Sequence, residues 1–151
     1  MNKTQKNIFK NIESFKSRLS KRLKENPNKN LLSTIGRSTM LVQGSAVSSI
    51  QAGGTGETVQ KYNPRRTHTQ SAPNQPPATD TGFLVSNITM DIEQDSRGSI
   101  IGRVISSAPY SQHLEFGTTN MTERPFMQPA LEKNRRKIFE IFKNNGLLEW
   151  V

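Results

Sequence analysis

Three features of this sequence predict an α+β fold built on one small antiparallel sheet. Ile88, Met90 and Ile92 alternate with Thr89, Asp91 and Glu93, the period of a half-buried strand. The turn sequence Asp95-Ser96-Arg97-Gly98 separates them from a second run, Ser99 to Ile105, rich in Ile and Val. Apolar residues at three- to four-residue steps mark two segments near the N-terminus and one near the C-terminus. Two strands alone are marginal in water and need cover. The prediction is a hairpin over 87–106, two N-terminal helices, a C-terminal helix and a long Gly/Pro-rich loop.

The 151 residues suit a single domain. It divides into a helical part (1–51), a long flexible loop (52–80), and the hairpin, motif segment and last helix (81–151). Hydrophobic content is 32%, below the usual share, so the core is modest. Net charge is +9 with a pI near 10.2, which suits contact with nucleic acid or an acidic protein surface. The absence of cysteine excludes disulfide and thiolate chemistry. No apolar run approaches the ~20 residues of a membrane span. Lys and Asn interrupt the apolar residues of the N-terminus, unlike a signal peptide. A soluble protein of the cytosol is expected.

Residues 4–25 read as an amphipathic helix, with Ile8, Ile12, Phe15, Leu19 and Leu23 on one face and Lys10, Lys21 and Lys24 among the cations elsewhere. Asn26-Pro27-Asn28 ends it. Three readings of its basic surface stand: a helix lying on the core with this face solvated, a face turned to DNA or an acidic surface, or a membrane-surface helix. Residues 30–51 form a second helix, with Leu31, Ile35, Val42, Ala46 and Ile50 on one face. Its many Ser, Thr and Gly residues make it poor in isolation and fit for close packing against a sheet or a neighbouring subunit.

Residues 52–80 hold Gly53, Gly54 and Gly56 and then Pro64, Pro73, Pro76 and Pro77, with Val59 and Tyr62 the only large apolar residues. A short strand is expected around Thr58–Tyr62. Lys61, Arg65, Arg66 and His68 make this segment basic, with Arg65 and Arg66 candidates for DNA or acidic-surface contact. An arm that orders on a partner is the functional alternative to a solvated loop.

The segment Pro109–Phe142 organises the rest. Tyr110 to Phe116 reads as a short helix stopped by Gly117. Residues 118–123 are a polar loop. Pro129 stands as a first helical residue, and Leu131, Arg135, Ile138 and Phe142 repeat at helical spacing, widened by Phe139 and Ile141. The helix covers the hairpin and ends at Gly146. Leu147, Leu148, Trp150 and Val151 follow as an apolar tail that docks on its own chain or a neighbour.

Tyr110, Leu114-Glu115-Phe116-Gly117-Thr118, Arg124-Pro125-Phe126-Met127 and Pro129-Ala130-Leu131 together resemble the tail-completion or head-to-tail joining proteins of lambda-like long-tailed phages. A second block agrees: Ser71-Ala72-Pro73, Pro76-Pro77-Ala78, Asp80-Thr81-Gly82-Phe83-Leu84 and Ser86-Asn87-Ile88. The resemblance spans roughly residues 62–142. It implies a non-catalytic α+β virion protein without a cofactor, assembled in the host cytoplasm and placed at the tail end or neck. It also implies a homo-oligomeric ring, six-fold to match a tail tube or twelve-fold on the neck side. Tail-tube, neck and connector proteins are the implied partners, packaged DNA a further one, and no membrane. The motif or subunit-interface residues it points to are Tyr110, Glu115, Phe116, Gly117, Thr118, Arg124, Pro125 and Phe126; the apolar tail adds Trp150. A Glu115–Arg124 hydrogen bond, pinning the 118–123 loop or crossing to a neighbouring subunit, is expected. The runner-up is a basic accessory protein binding nucleic acid.

Other chemistry is weaker. Asp80-Thr81-Gly82 matches the catalytic tripeptide of aspartic proteases, whose two carboxylates share a proton. Pro76-Pro77-Ala78-Thr79 is no apolar strand leading into such a loop, and roughly twenty residues before Ile100-Ile101-Gly102-Arg103 are too few for that fold. Thr81 and Gly82 read instead as a turn into the next element, with Asp80 as its cap. Gly53–Thr58 lacks the Gly-Lys-Ser/Thr ending of a phosphate loop. His68 and His113 have no companion at metal-ligand spacing.

Overall fold

The structure, a computed structural model, describes residues 27–147. Helix α1 (Pro27–Gln51) is followed by strands β1 (Thr58–Tyr62) and β2 (Arg65–Thr69). A short helix α2 (Phe83–Ser86) leads into β3 (Ile88–Gln94) and β4 (Ile100–Ser106), then α3 (Ser111–Phe116) and α4 (Met127–Asn144). The fold is mixed α+β, with two separate antiparallel hairpins. The expected first helix, 4–25, lies outside the described residues, as do Lys10, Lys21, Lys24 and Trp150.

The β3–β4 hairpin runs from Ile88 opposite Ser106 to Gln94 opposite Ile100. Its turn is built by Asp95, whose carboxylate accepts the amides of Arg97 (2.9 Å) and Ser99 (2.8 Å), while Gly98 takes φ 87°. The face with Ile88, Ile92, Ile100, Gly102 and Val104 meets α1. A side chain at Gly102 would overlap the Thr39 hydroxyl and stand 2.9 Å from Ile35 Cγ2, so α1 lies directly on the strand there. Gln43 adds a polar tie, its Nε2 donating to the Ile88 carbonyl at 2.9 Å. Gly36 and Thr39 of α1 thus pack on its own sheet.

The buried stripe of α1 differs from the predicted apolar one. Thr34, Ser38 and Thr39 are buried with Val42, Ala46 and Ile50, while Leu31 and Ile35 are half-buried and Leu32 exposed. Each buried hydroxyl donates to a carbonyl one turn back: Thr34 to Asn30 (2.7 Å), Ser38 to Thr34 (2.9 Å), Thr39 to Ile35 (2.9 Å). That satisfies the polar groups within the helix and leaves a slim surface for strand and helix to approach. The core unites Val42, Ala46, Ile50, Leu84, Ile88, Ala108, Phe126 and Ala130. Phe126, 1% exposed, is its largest member; burying such a side chain contributes roughly 1.5–3 kcal/mol.

The 52–80 segment is not the long loop predicted. It contains the β1–β2 hairpin, with Lys61 opposite Arg66 and a two-residue turn at Asn63–Pro64, a cis peptide. A side chain at Gly54 would overlap the carbonyl oxygens of Thr69 and Gln70, so the glycine lets the entering chain lie against β2. The Pro-rich return is tied at both ends: the Asn74 amide donates to the Glu123 carbonyl (3.0 Å), and the Thr79 amide to that of Ile50 (3.3 Å).

Helix α4 begins at Met127, two residues before the predicted Pro129. Ala130 and Asn134 are its buried residues, whereas Leu131 (50%) and Phe139 (58%) are exposed. It packs along α1, and Asn145 Nδ2 donates to Thr34 Oγ1 at 2.9 Å. Gly146, at φ 68°, reverses the chain. The amides of Gly146 and Leu147 donate to Lys143 (3.0 Å) and Phe142 (3.1 Å), the paired bonds of a Schellman ending.

Candidate functional site

The residues singled out in the sequence converge on the junction between α3 and α4. Tyr110 precedes α3, and Gly117 ends it at φ 72°, where a side chain would press on the Met121 carbonyl oxygen (2.9 Å) and the Glu123 amide (3.0 Å). Thr118 and Met121 then exchange backbone hydrogen bonds (2.8 and 3.2 Å), closing a tight turn. The Arg124 amide donates to the Leu114 carbonyl at 2.7 Å, returning the chain to α3. Pro125 is half-buried and Phe126 enters the core.

Glu115 locks this return. Its carboxylate accepts the amides of Phe126 (2.9 Å), Met127 (3.0 Å) and Gln128 (2.9 Å). Those are donors that a helix start leaves without an intrahelical partner. A carboxylate there also meets the positive end of the helix dipole. Helix α4 thus takes its N-terminal cap from another helix, eleven or more residues back in the chain. Within the chain the expected Glu115–Arg124 bond is not made. The Arg124 guanidinium instead lies 3.8 Å from the Met121 sulfur, and its Nε is buried without a hydrogen-bond partner. Backbone amides at a helix start took the role assigned to the cation, three converging donors being a closer match to two carboxylate oxygens than one mobile side chain.

A second cluster forms around Asp80, which caps no helix. Its carboxylate is bonded to Lys61 and, at 2.7 Å, to Arg66, with His68 Nδ1 3.9 Å away. Lys61 and Arg66 stand directly opposite each other in the hairpin, a like-charge pair that is unfavourable unless an anion lies between them. The Lys61 hydrogen bond, aided by Arg66, holds the Asp80 pKa below the ordinary carboxylate value, against a smaller opposing effect of burial. Arg66, expected to face DNA or an acidic surface, is committed to Asp80 within the chain. Arg65 remains exposed beside the turn. The α2 cap position is taken by Gly82, at φ 78°, with the Thr81 hydroxyl 3.4 Å from the Phe83 amide.

Between these clusters lies a cavity of about 240 Å³, lined by His68, Asp80, Phe83, Tyr110, Leu114 and Arg124 among others. The Phe83 and Tyr110 rings that line it lie 6.2 Å apart between centroids, and both are partly exposed. A larger, open groove of about 700 Å³ runs on the other side, between α1, β4 and α4, walled by Ile35, Val42, Leu131, Ile138 and Phe142. Phe116, 73% exposed, also lines it.

Sequence reasoning missed Asp80 as a hub and Phe83 as the partner of Tyr110. The opposed Lys61 and Arg66 were a usable signal only once the β2 strand was known. Among the described residues no three His, Cys, Asp or Glu side chains group as a metal site, and no helix is long and apolar enough to cross a membrane. No family model, curated protein or solved structure matches the chain.

Proposed function

We propose that this chain is a non-catalytic structural protein of a long-tailed phage, completing the tail end or neck and joining tail to head as an oligomeric ring. The observation that carries the reading is the Glu115 clamp. The segments that resemble the joining proteins, Leu114–Thr118 and Arg124–Leu131, meet there in one rigid unit, held by three amides on one carboxylate. Rigidity of that kind suits a part that presents a fixed surface to neighbours.

Exposed apolar residues supply a second support. Tyr62 (81%), Phe116 (73%), Phe83 (47%) and Tyr110 (42%) stay outside a core that holds few large side chains. A chain with 32% hydrophobic residues leaves such groups in water at a cost, unless neighbours cover them. Identical subunits meeting head-to-tail close into a ring when the rotation per subunit divides a full turn. Six copies would match a tail tube, and twelve a neck-side ring.

Packaged DNA, tail-tube and connector proteins are the partners in this reading, with the virion as its place. Nucleic-acid binding by a monomer is the weaker reading, since Lys61 and Arg66 are engaged by Asp80. Imaging of tails or virions with this protein labelled tests the proposal. Six or twelve copies around the tail axis are expected; a single copy off the axis, or none in the particle, overturns it.

A further inference from the structure

We infer that the groove between α1, β4 and α4 is the seat of this chain's own C-terminal segment, Leu148-Glu149-Trp150-Val151, with the Trp150 indole as the anchor. This places Trp150 on its own subunit rather than at a neighbour, and holds whether or not the chain assembles into a ring.

The position of α4's end carries the inference. Gly146 turns the chain back, and the Leu147 amide is held by the Phe142 carbonyl at 3.1 Å. In this type of helix ending the side chain after the glycine packs on the residue whose carbonyl it bonds. That residue, Phe142, lines the groove. The next residues therefore start beside the groove wall. Four residues reach about 13–14 Å when extended. Trp150, three residues beyond Leu147, reaches about 10 Å. Ile138 lies one turn, about 6 Å, back along α4 from Phe142. The indole is thus within reach of the section lined by Ile138, Ile35 and Thr39.

Chemistry agrees with reach. Three of the four residues are apolar, and the groove offers an open surface walled mainly by aliphatic and aromatic groups. Its volume, about 700 Å³, falls in the range of pockets that enclose ligands larger than an indole. Among the described residues Glu115 is the one charged residue lining the groove and its carboxylate is taken up by three backbone amides, while helix α4 around the groove carries five cations (Lys133, Arg135, Arg136, Lys137, Lys143) against Glu132 and Glu140, a net positive field that favours a segment bearing Glu149. The other segment beyond the described residues, 1–26, carries eight cations and two carboxylates and brings like charge to the same helix. A tether this short gives the chain's own segment an effective concentration of order mM, ahead of any neighbour's.

Trp150 is the only tryptophan and the chain has no cysteine, so two measurements read the contact directly. In the folded full-length protein, acrylamide quenching of Trp150 is expected to be several-fold weaker than in urea and unchanged on dilution. Leu131→Asp, at a half-exposed wall position, should raise quenching towards the unfolded value with the helical circular dichroism retained. Leu131→Cys with Val151→Cys should form a disulfide within one chain under mild oxidation. Four results would each overturn the assignment. They are quenching equal to that in urea, shielding lost on dilution, cross-links only between chains, and shielding relieved by Phe15→Asp but not by Leu131→Asp.

Discussion

Replacing Glu115 with alanine removes the acceptor for three backbone amides at once. Loss of a helix cap costs about 0.5–2 kcal/mol. A carboxylate at a partly buried helix N-terminus adds up to ~2 kcal/mol through the dipole. Glu115 is half-buried and its first partner, the Phe126 amide, is partly buried with it. Glu115→Ala should therefore cost about 2–3 kcal/mol, taking both contributions as partly overlapping. For a chain of this size, 1 kcal/mol shifts the melting temperature by about 2–4 °C, so a fall of about 5–10 °C is expected. Glu115→Gln keeps one acceptor oxygen but turns an NH₂ towards an amide donor, and should cost about half as much. The Arg124 side chain shares no partner with Glu115, so Glu115→Ala should cost the same in an Arg124→Ala background, within about 0.5 kcal/mol. Thermal or urea unfolding followed by circular dichroism gives the numbers. A cost below about 0.5 kcal/mol, or one that vanishes when Arg124 is absent, would refute the cap and restore the side-chain pair.

Three further perturbations follow from the same structure. Gly102→Ala should destabilise by about 1–3 kcal/mol through overpacking against Thr39, and Thr39→Ala should recover part of that loss in the double variant. Asp80→Asn should leave Lys61 and Arg66 opposed without an anion, and trypsin should then cleave the β1–β2 hairpin several-fold faster than in the parent chain. The Asp80 pKa is lowered by folding, so its contribution is present above the ordinary carboxylate range and lost as pH falls through its own lower value; protection of the β1–β2 hairpin against pepsin, which can cut at the exposed Tyr62, should decline in that window and stay flat above it.

How far the sequence disclosed this arrangement differs by element. The β3–β4 hairpin was legible because Ile88, Met90 and Ile92 alternate and Asp95–Gly98 is a strong turn. Gly117 marked the end of α3 because its backbone demands a residue without a side chain. Strand β2 was not legible: Arg65-Arg66-Thr67-His68-Thr69 has no large apolar residue, and its partners in space are Asp80 and β1 rather than a core. The buried face of α1 misled in the same way, since Thr34, Ser38 and Thr39 hide their hydroxyls in bonds to their own helix. Glu115 stood out as a motif residue, but its partners are amides, which every residue carries and no sequence pattern reveals. The cationic Arg124 was the more visible partner, yet within the chain the amides hold the carboxylate.

The central claim is that this chain joins tail to head. The most direct measurement is electron microscopy of lysates from a phage lacking only this coding sequence. DNA-filled heads lying apart from tails are predicted, with joined particles restored by supplying the protein in trans. Normal numbers of joined, infectious virions in its absence would contradict the account.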